Sequence, residues 1–170
     1  MKLARRLTRQ VTRQVTRMAP AVIFAVMAFG GMTFSGTEGA YANSARLAAI
    51  KRVQGMHERK NRKQIQAMVG VNPATTPWCG AAAAYAVRKA GGTPVAGANK
   101  ASSWLKFGTA VPVKAARQGD VVVLRTKRGY HVTLFGGWAD KGRFTGCGGN
   151  QSNRFQCSSY RVASIKAVRR

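Results

Sequence analysis

The feature that most restricts the fold is a run of small residues after a cysteine, in the segment "TPWCGAAAAYAVRKAGG" at residues 76–92. Thr76 is a suitable N-cap and Pro77 suits the first helical position, so we expect a helix that begins there. Gly91 and Gly92 should end it. Because alanine side chains let a helix approach its neighbour closely, this helix is expected to pack against a flat surface such as a sheet.

The rest of the chain predicts helices first and strands afterwards. Residues 43–69 predict helix interrupted at Gly55, and "SSWLKFG" predicts a short helix or turn that carries Trp104. "GDVVVLRTKRGYHVTLFGGW" contains two apolar runs around a turn at residues 126–129, and "GRFTGCGGN" and "RFQCSSYRVASIKAV" supply further short strands. Helices followed by an antiparallel meander indicate an α+β domain.

The first 42 residues have the three regions of a secretory signal peptide. A basic start precedes an apolar stretch at 19–34 and the small-x-small motif "AYA" at 40–42. The apolar stretch is short for a bilayer span, which needs about 20 residues. An uncleaved signal anchor is the alternative. We expect cleavage before Asn43, export to the periplasm, the cell wall or the medium, and no membrane span after cleavage.

The charge of the chain is strongly positive, with 29 Lys and Arg against four Asp and Glu. Removing the six basic residues and Glu38 of the leader leaves 23 basic and three acidic residues, a formal charge of +20. Such a field attracts polyanions. No helix-turn-helix, RNA-binding signature or zinc-finger spacing is present, so nucleic acid is not the expected partner. Anionic polymers of the cell envelope are expected instead, and a solvated basic surface without a dedicated ligand is the alternative.

The three cysteines divide into a pair and a single thiol. Cys147 and Cys157 lie on either side of a segment that can turn back near Ser152, and a symmetric hairpin would place them opposite each other. An oxidising compartment would favour a disulfide between them. The spacing of the cysteines and His131 does not match a zinc site, and we expect neither a metal nor a cofactor. Cys79 then remains as the unpaired thiol.

Cys79 is either a small buried packing residue or a nucleophile. A thiol in the first turn of a helix lies at the positive end of the helix dipole, where nearby N–H groups stabilise thiolate. The same N–H groups could hold the oxyanion that forms when a carbonyl is attacked. Gly80 and the alanines after it are expected to leave the approach to the sulfur open.

A thiol nucleophile needs a base, and the chain has only His57 and His131. His57 lies in a charged helical run, whereas His131 lies at the head of the strand-like segment "YHVTLF", which makes it the better partner. Asp120 and Asn150 are candidates for the group that orients the imidazole. Asp120 is expected in a turn that opens a strand. We favour Asn150, because its amide oxygen accepts from the ring N–H without adding charge.

Four motifs in one order resemble those of the NlpC/P60-like cysteine peptidases, which are close to the CHAP amidases. They are "TPWCGA…AGG", "SSWLKFG", "QGDVVVL…GYHVTLFGG" and "CGGNQSN", and the similarity covers roughly residues 60–165. The resemblance implies a papain-like α+β domain in which a helix-borne cysteine packs on an antiparallel sheet. It also implies cleavage of amide bonds in the peptides of peptidoglycan, with Cys79 as nucleophile, His131 as base and Asn150 as the orienting residue.

The resemblance completes a prediction for the whole chain. The leader at 1–42 precedes an N-terminal helical segment at 43–60 and a catalytic domain at 61–170. We expect an exported, monomeric cysteine hydrolase that acts on peptidoglycan through a Cys–His–Asn arrangement. Candidates for lining the cleft or holding the oxyanion are Trp78, Gln151 and Tyr130.

Several alternatives remain open at the level of sequence. The main one is a catalytically silent, basic cell-wall-binding protein of the same fold. A protein that binds polyanions or permeabilises membranes through its charge is another, although the glycine-punctuated strands are unlike a cationic peptide. Another acyl-transfer reaction in the same fold, such as transpeptidation, is a third.

Overall fold

The computed structural model describes residues 35–170, with side chains from Tyr41 onward. Most of the predicted leader therefore lies outside the described residues, and only its last residues, 35–42, fall within them. These residues form the start of a helix that continues past the predicted cleavage point. In the described part of the chain, no helix combines the length and the apolar character needed to cross a membrane.

Three helices precede most of the strands: α1 (Ser35–Arg52), α2 (Arg62–Val69) and α3 (Cys79–Lys89). Short 3₁₀ helices occupy Ala101–Lys106, Val113–Ala115 and Val162–Ser164. The strands are β1 (Ala110–Val111), β2 (Val121–Thr126), β3 (Gly129–Ala139), β4 (Arg143–Gln151), β5 (Arg154–Arg161) and β6 (Ile165–Arg169). The predicted α+β class is confirmed, as is the short helix that carries Trp104.

The strands form one antiparallel sheet in the order β1-β6-β2-β3-β4-β5. Strands β2 to β5 are the predicted meander, and the β2–β3 turn lies between the paired residues Thr126 and Gly129. The sequence did not predict the return of β6 to the far side of β2, where it separates β2 from β1. The meander positions both His131 and the Cys147–Cys157 hairpin on neighbouring strands.

Helix α3 begins three residues later than the expected cap, because the residues before it form a turn of their own. The backbone N–H of Thr76 donates to the carbonyl of Asn72 at 3.0 Å, so Thr76 is part of that turn and caps nothing. Trp78 takes the N-cap position and Cys79 becomes the first helical residue. Helix α3 ends where predicted, and Gly91, just after it, has a positive φ of 78°.

The small residues of α3 do pack closely on the sheet. Ala82 and Trp78 approach Gly149 of β4 so closely that a Cβ at that glycine would overlap both side chains. Trp78 is fully buried and meets Phe155 of β5 edge to face, with 4.8 Å between the ring centroids. Alanine and glycine together therefore bring the N-terminal end of α3 onto the end of β4.

Helix α1 packs with the later elements of the described structure. Leu47 and Ile50 of α1 lie in the same hydrophobic core as Ile65 of α2 and the alanines of α3. The Asn43 side chain is also buried and donates to Asp120 at the start of β2. Residues 43–60, predicted as an N-terminal helical segment, thus contribute side chains to this core.

Strands β4 and β5 form the predicted hairpin. Ser152 and Asn153 make its turn with φ values of 50° and 63°, as a two-residue type I′ turn requires. The register places Cys147 opposite Cys157, and the two are joined by a disulfide. Cys79 is the free cysteine.

Candidate active site

The site lies where two strands stop pairing. β3 pairs with β2 along its first half, but with β4 only from Leu134 onward. The end of β4 is irregular, because its register with β5 shifts between Gly148 and Gln151. The stretch of β3 that does not pair with β4 includes Val132, which is fully buried. The first turn of α3 lies against this stretch, and the backbone of Val132 hydrogen-bonds to the sulfur of Cys79.

The environment of Cys79 keeps its sulfur protonated. The side chain is 7% exposed. Burial raises the pKa of the Cys79 thiol, and hydrogen bonds from the backbone of Val132, Gly80 and Cys79 offset this only in part. The backbone N–H groups at the start of α3 favour the thiolate as expected, but loss of solvation outweighs them in the resting protein.

The approach beside Gly80 is also less open than expected. The carbonyl oxygens of Ala98 and Asn99 lie so close to Gly80 that a Cβ there would overlap them. Trp104 holds this loop in place by donating its indole N–H to the Ala98 carbonyl at 2.8 Å. Gly80 is thus needed for the packing of a loop on α3, and the thiol is reached only through its small exposed part.

His131 is half-buried on β3 and is neutral at pH 7. Burial lowers the pKa of its imidazole to about 4. The ring nitrogen Nε2 lies 3.3 Å from the hydroxyl of Tyr160 on β5. Tyr160 therefore stands where an orienting group is required.

Tyr160 belongs to a chain of hydrogen bonds. Its hydroxyl donates to Oε1 of Gln151 at 2.8 Å, and Nε2 of Gln151 donates to Oγ1 of Thr133 at 3.1 Å. Burial raises the pKa of Tyr160 to about 12, against an opposing hydrogen bond with the Ser158 side chain and with a smaller raising contribution from nearby Cys79, so the phenol keeps its proton. Since that proton goes to Gln151, the phenol oxygen accepts from His131. This assigns the ring proton to Nε2 and leaves Nδ1 as the free base.

The thiol and the imidazole both have the Tyr160 phenol as a neighbour. Cys79 is near enough to Tyr160 to affect the pKa of its phenol, and the same phenol contacts His131. Val132, which hydrogen-bonds to Cys79, is also the next residue after His131. Among the interactions of the described residues, no hydrogen bond joins the sulfur to the imidazole. Such bonds are often long in unliganded enzymes and shorten when substrate binds.

Asn150 makes no hydrogen bond to the imidazole among the described interactions. It lies in the irregular end of β4 with a φ of 56° and is half-buried. The next residue, Gln151, turns inward instead and is 4% exposed. Tyr160 was missed because its contact with His131 is made between β5 and β3, which do not pair with each other. Strand register places Tyr160 opposite Phe144 and gives no signal for this contact.

The remaining candidates have other surroundings. The indole N–H of Trp78 donates to Glu58 at 3.2 Å and its ring is fully buried, so it is not available to a substrate. Tyr130 is half-buried with the Arg125 guanidinium 5.0 Å from its ring centre, and it remains a candidate for the cleft wall. Asp120 is buried in a separate cluster with Asn43 and Arg170.

No protein-family model matches the chain, and no curated protein matches it either. The resemblance to NlpC/P60-like peptidases therefore depends on the four motifs and on their order. Within the described residues, no group of three or more His, Cys, Asp or Glu side chains could hold a metal ion.

Proposed function

We propose that this chain is an exported cysteine hydrolase of papain-like fold that cuts amide bonds in the peptides of peptidoglycan. The observation that supports the proposal is that a helix-terminal thiol, Cys79, and a strand-borne imidazole, His131, both lie near the Tyr160 phenol. The substrate class is supported by the motif resemblance. It is also supported by the strong positive charge, which favours a polymer that carries acidic groups.

The proposed reaction starts from a neutral pair. Burial raises the pKa of Cys79 and lowers that of His131, so a resting thiolate–imidazolium pair is disfavoured. Nδ1 of His131 takes the thiol proton as the sulfur attacks the amide carbonyl carbon. N–H groups in the first turn of α3, those of Cys79 and Gly80, donate to the oxyanion.

The second half of the reaction returns the proton. The imidazolium of His131 protonates the leaving amine as the carbon–nitrogen bond breaks, and the acyl group stays on Cys79 as a thioester. His131 then deprotonates a water molecule that attacks the thioester, which releases the carboxylic acid and restores the thiol. Tyr160 acts as a positioning residue, because it accepts from Nε2 and keeps Nδ1 free.

The test uses purified peptidoglycan sacculi and the full chain, with soluble fragments separated by chromatography. Wild type is expected to release peptides with new amino termini, while Cys79→Ala and His131→Ala reduce the release by about a thousandfold or more. Thermal unfolding checks that both variants are folded. Equal release by wild type and Cys79→Ala would contradict the proposal.

One observation favours the silent cell-wall-binding protein as a second candidate. Cys79 is only 7% exposed, so a substrate carbonyl has little sulfur to approach. This candidate predicts that the chain sediments with sacculi and releases no fragments, and that Cys79→Ala changes neither result. Fragment release that depends on Cys79 excludes it.

A further inference from the structure

The described part of the chain contains a basic cleft outside the candidate active site. It has a volume of about 500 Å³ and is lined by Arg59, Lys60, Arg62, Lys63, Gln64 and Ala74. This volume lies in the range of about 300–1,000 Å³ that is typical of small-ligand sites. We propose that the basic cleft binds the carboxylate groups of the acidic peptides of peptidoglycan. The choice of ligand rests on the proposed function.

The cations of the basic cleft have no acidic partner in the described structure. The salt bridge among the described residues joins Arg170 to Asp120. Glu58, the acid nearest in sequence, accepts from the indole N–H of Trp78. Asp140 lies exposed in the β3–β4 turn. The four exposed cations therefore present an uncompensated positive field to solvent, which attracts anionic ligands.

The start of α2 adds to this field. The helix begins at Arg62 with no acid in its first turn, and its N-cap Asn61 makes no side-chain capping bond. The side-chain oxygen Oδ1 of Asn61 accepts from the His57 backbone N–H at 3.0 Å, and the side-chain Nδ2 of Asn61 donates to Oε1 of Gln64 at 3.1 Å. First-turn N–H groups are left for another acceptor, and a carboxylate suits the positive end of a helix.

Contacts of His57 and Glu58 connect the basic cleft to the two segments that lead into the candidate active site. His57 bridges Arg154 of β5, and the Glu58 N–H donates to the Asn153 carbonyl at 2.8 Å in the turn that follows Gln151. The Glu58 side chain holds Trp78, which directly precedes Cys79. Residues 57–63 therefore both carry the cations and brace the candidate active site.

We infer the ligand from the substrate of the proposed reaction, because one peptidoglycan polymer could then bind both the basic cleft and the candidate active site. Peptide stems of peptidoglycan carry free carboxylates along with the amide bonds that the proposed reaction cuts. Guanidinium and ammonium groups bind carboxylates through charge-assisted hydrogen bonds. Phosphate-bearing envelope polymers would be a different partner, and the experiment below separates the two.

The experiment measures co-sedimentation of the full chain with sacculi from which phosphate polymers have been removed by hydrofluoric acid. All chains carry Cys79→Ala so that the polymer is not consumed. The cleft variant combines Arg59→Gln, Lys60→Gln, Arg62→Gln and Lys63→Gln. The matched control removes four exposed charges elsewhere, by Lys100→Gln, Lys106→Gln, Lys114→Gln and Lys166→Gln.

We expect the cleft variant to bind about tenfold more weakly and the control less than about threefold more weakly. Equal loss in both variants would overturn the inference, because net charge alone would then explain binding. Unchanged binding by the cleft variant would overturn it too, as would binding that disappears with the phosphate polymers. A failure of the proposed function is recognised separately, since a chain with Cys79 intact would then release no fragments whatever the binding result.

Discussion

Two clusters of buried polar groups lie in the described fold, and they differ in charge. The first surrounds Asp120, whose carboxylate accepts from Asn43 at 2.7 Å, from the Arg117 backbone at 2.9 Å and from Arg170 at 2.9 and 2.8 Å. The second surrounds His131 and consists of uncharged groups. Its other members are Cys79, Tyr160, Gln151 and Thr133.

The difference in charge indicates a structural role for the cluster around Asp120 and a chemical role for the cluster around His131. A buried charge is tolerated only when partners replace its hydration, and Asp120 has both a countercharge and several donors. Two of these donors are Asn43 of α1 and Arg170, which follows β6, so the carboxylate joins α1 to the segment after β6. The second cluster has no countercharge. Burial there shifts each pKa toward the neutral form, which leaves a thiol beside an imidazole with one free nitrogen.

The largest expected effect comes from a substitution that disrupts the charged cluster around Asp120. Asp120→Asn removes the countercharge of Arg170 and places an amide against the Asn43 amide, so we expect a loss of about 3–5 kcal/mol in the free energy of unfolding. Urea unfolding measures it. Asp140→Asn, at an exposed turn position, is the matched control and should change stability by less than about 0.5 kcal/mol. Similar losses in the two variants would show that the cluster does not hold the domain together.

The second prediction tests the uncharged cluster around His131 through the pH dependence of stability. The pKa of His131 is about 4 in the folded protein against 6.5 for the ordinary side chain, so only the unfolded chain binds the proton between these values. The contribution of His131 to the free energy of unfolding is therefore fully present above pH 6.5. It falls by about 3 kcal/mol as the pH falls toward 4. Urea unfolding between pH 7.5 and pH 4 follows the loss.

His131→Gln is the control for this titration, because it removes the ionisable ring and keeps a polar side chain. The difference between the two pH profiles isolates His131 from the other titrating groups of the protein. If wild type and His131→Gln lost stability in parallel, the imidazole would not be buried as a neutral base.

Local signals in the sequence predict much of the fold. The apolar runs of β2 and β3, the small residues of α3 and the turn at Ser152 each identify an element without reference to the rest of the chain. The Cys147–Cys157 disulfide follows from that turn, because a symmetric hairpin fixes which residues are opposite. The pairing of β6 with β2 has no such local signal.

The site was less predictable, because its properties depend on packing. Asn150 was favoured for its amide chemistry, but the hydrogen-bond partner of the imidazole in the described structure is Tyr160. The state of the Cys79 thiol was predicted from the helix dipole alone. Its burial, to which the loop over Gly80 contributes, is a tertiary effect that reverses the direction of the pKa shift.

The smallest expected effect comes from a substitution of Tyr160, which lies at the centre of the uncharged cluster. Tyr160→Phe removes the hydroxyl that accepts from His131 and donates to Gln151, so the ring is no longer held with its proton on Nε2. We expect kcat on sacculi to fall about tenfold, or about 1.4 kcal/mol, with KM unchanged. Nitrogen NMR of the imidazole supplies a readout that a purely structural role would not move. It should change from one tautomer in wild type to a mixture in the variant.

Tyr85→Phe is the matched control, because Tyr85 is a buried tyrosine of α3 whose hydroxyl lies outside this hydrogen-bond chain. It should keep kcat within about twofold and leave the imidazole signals unchanged. Gln151 and Thr133 remain joined to each other in Tyr160→Phe, so a lower kcat would be assigned to the missing phenol and not to collapse of the cluster. A full kcat with a single Nε2–H tautomer in Tyr160→Phe would show that the ring is oriented without Tyr160.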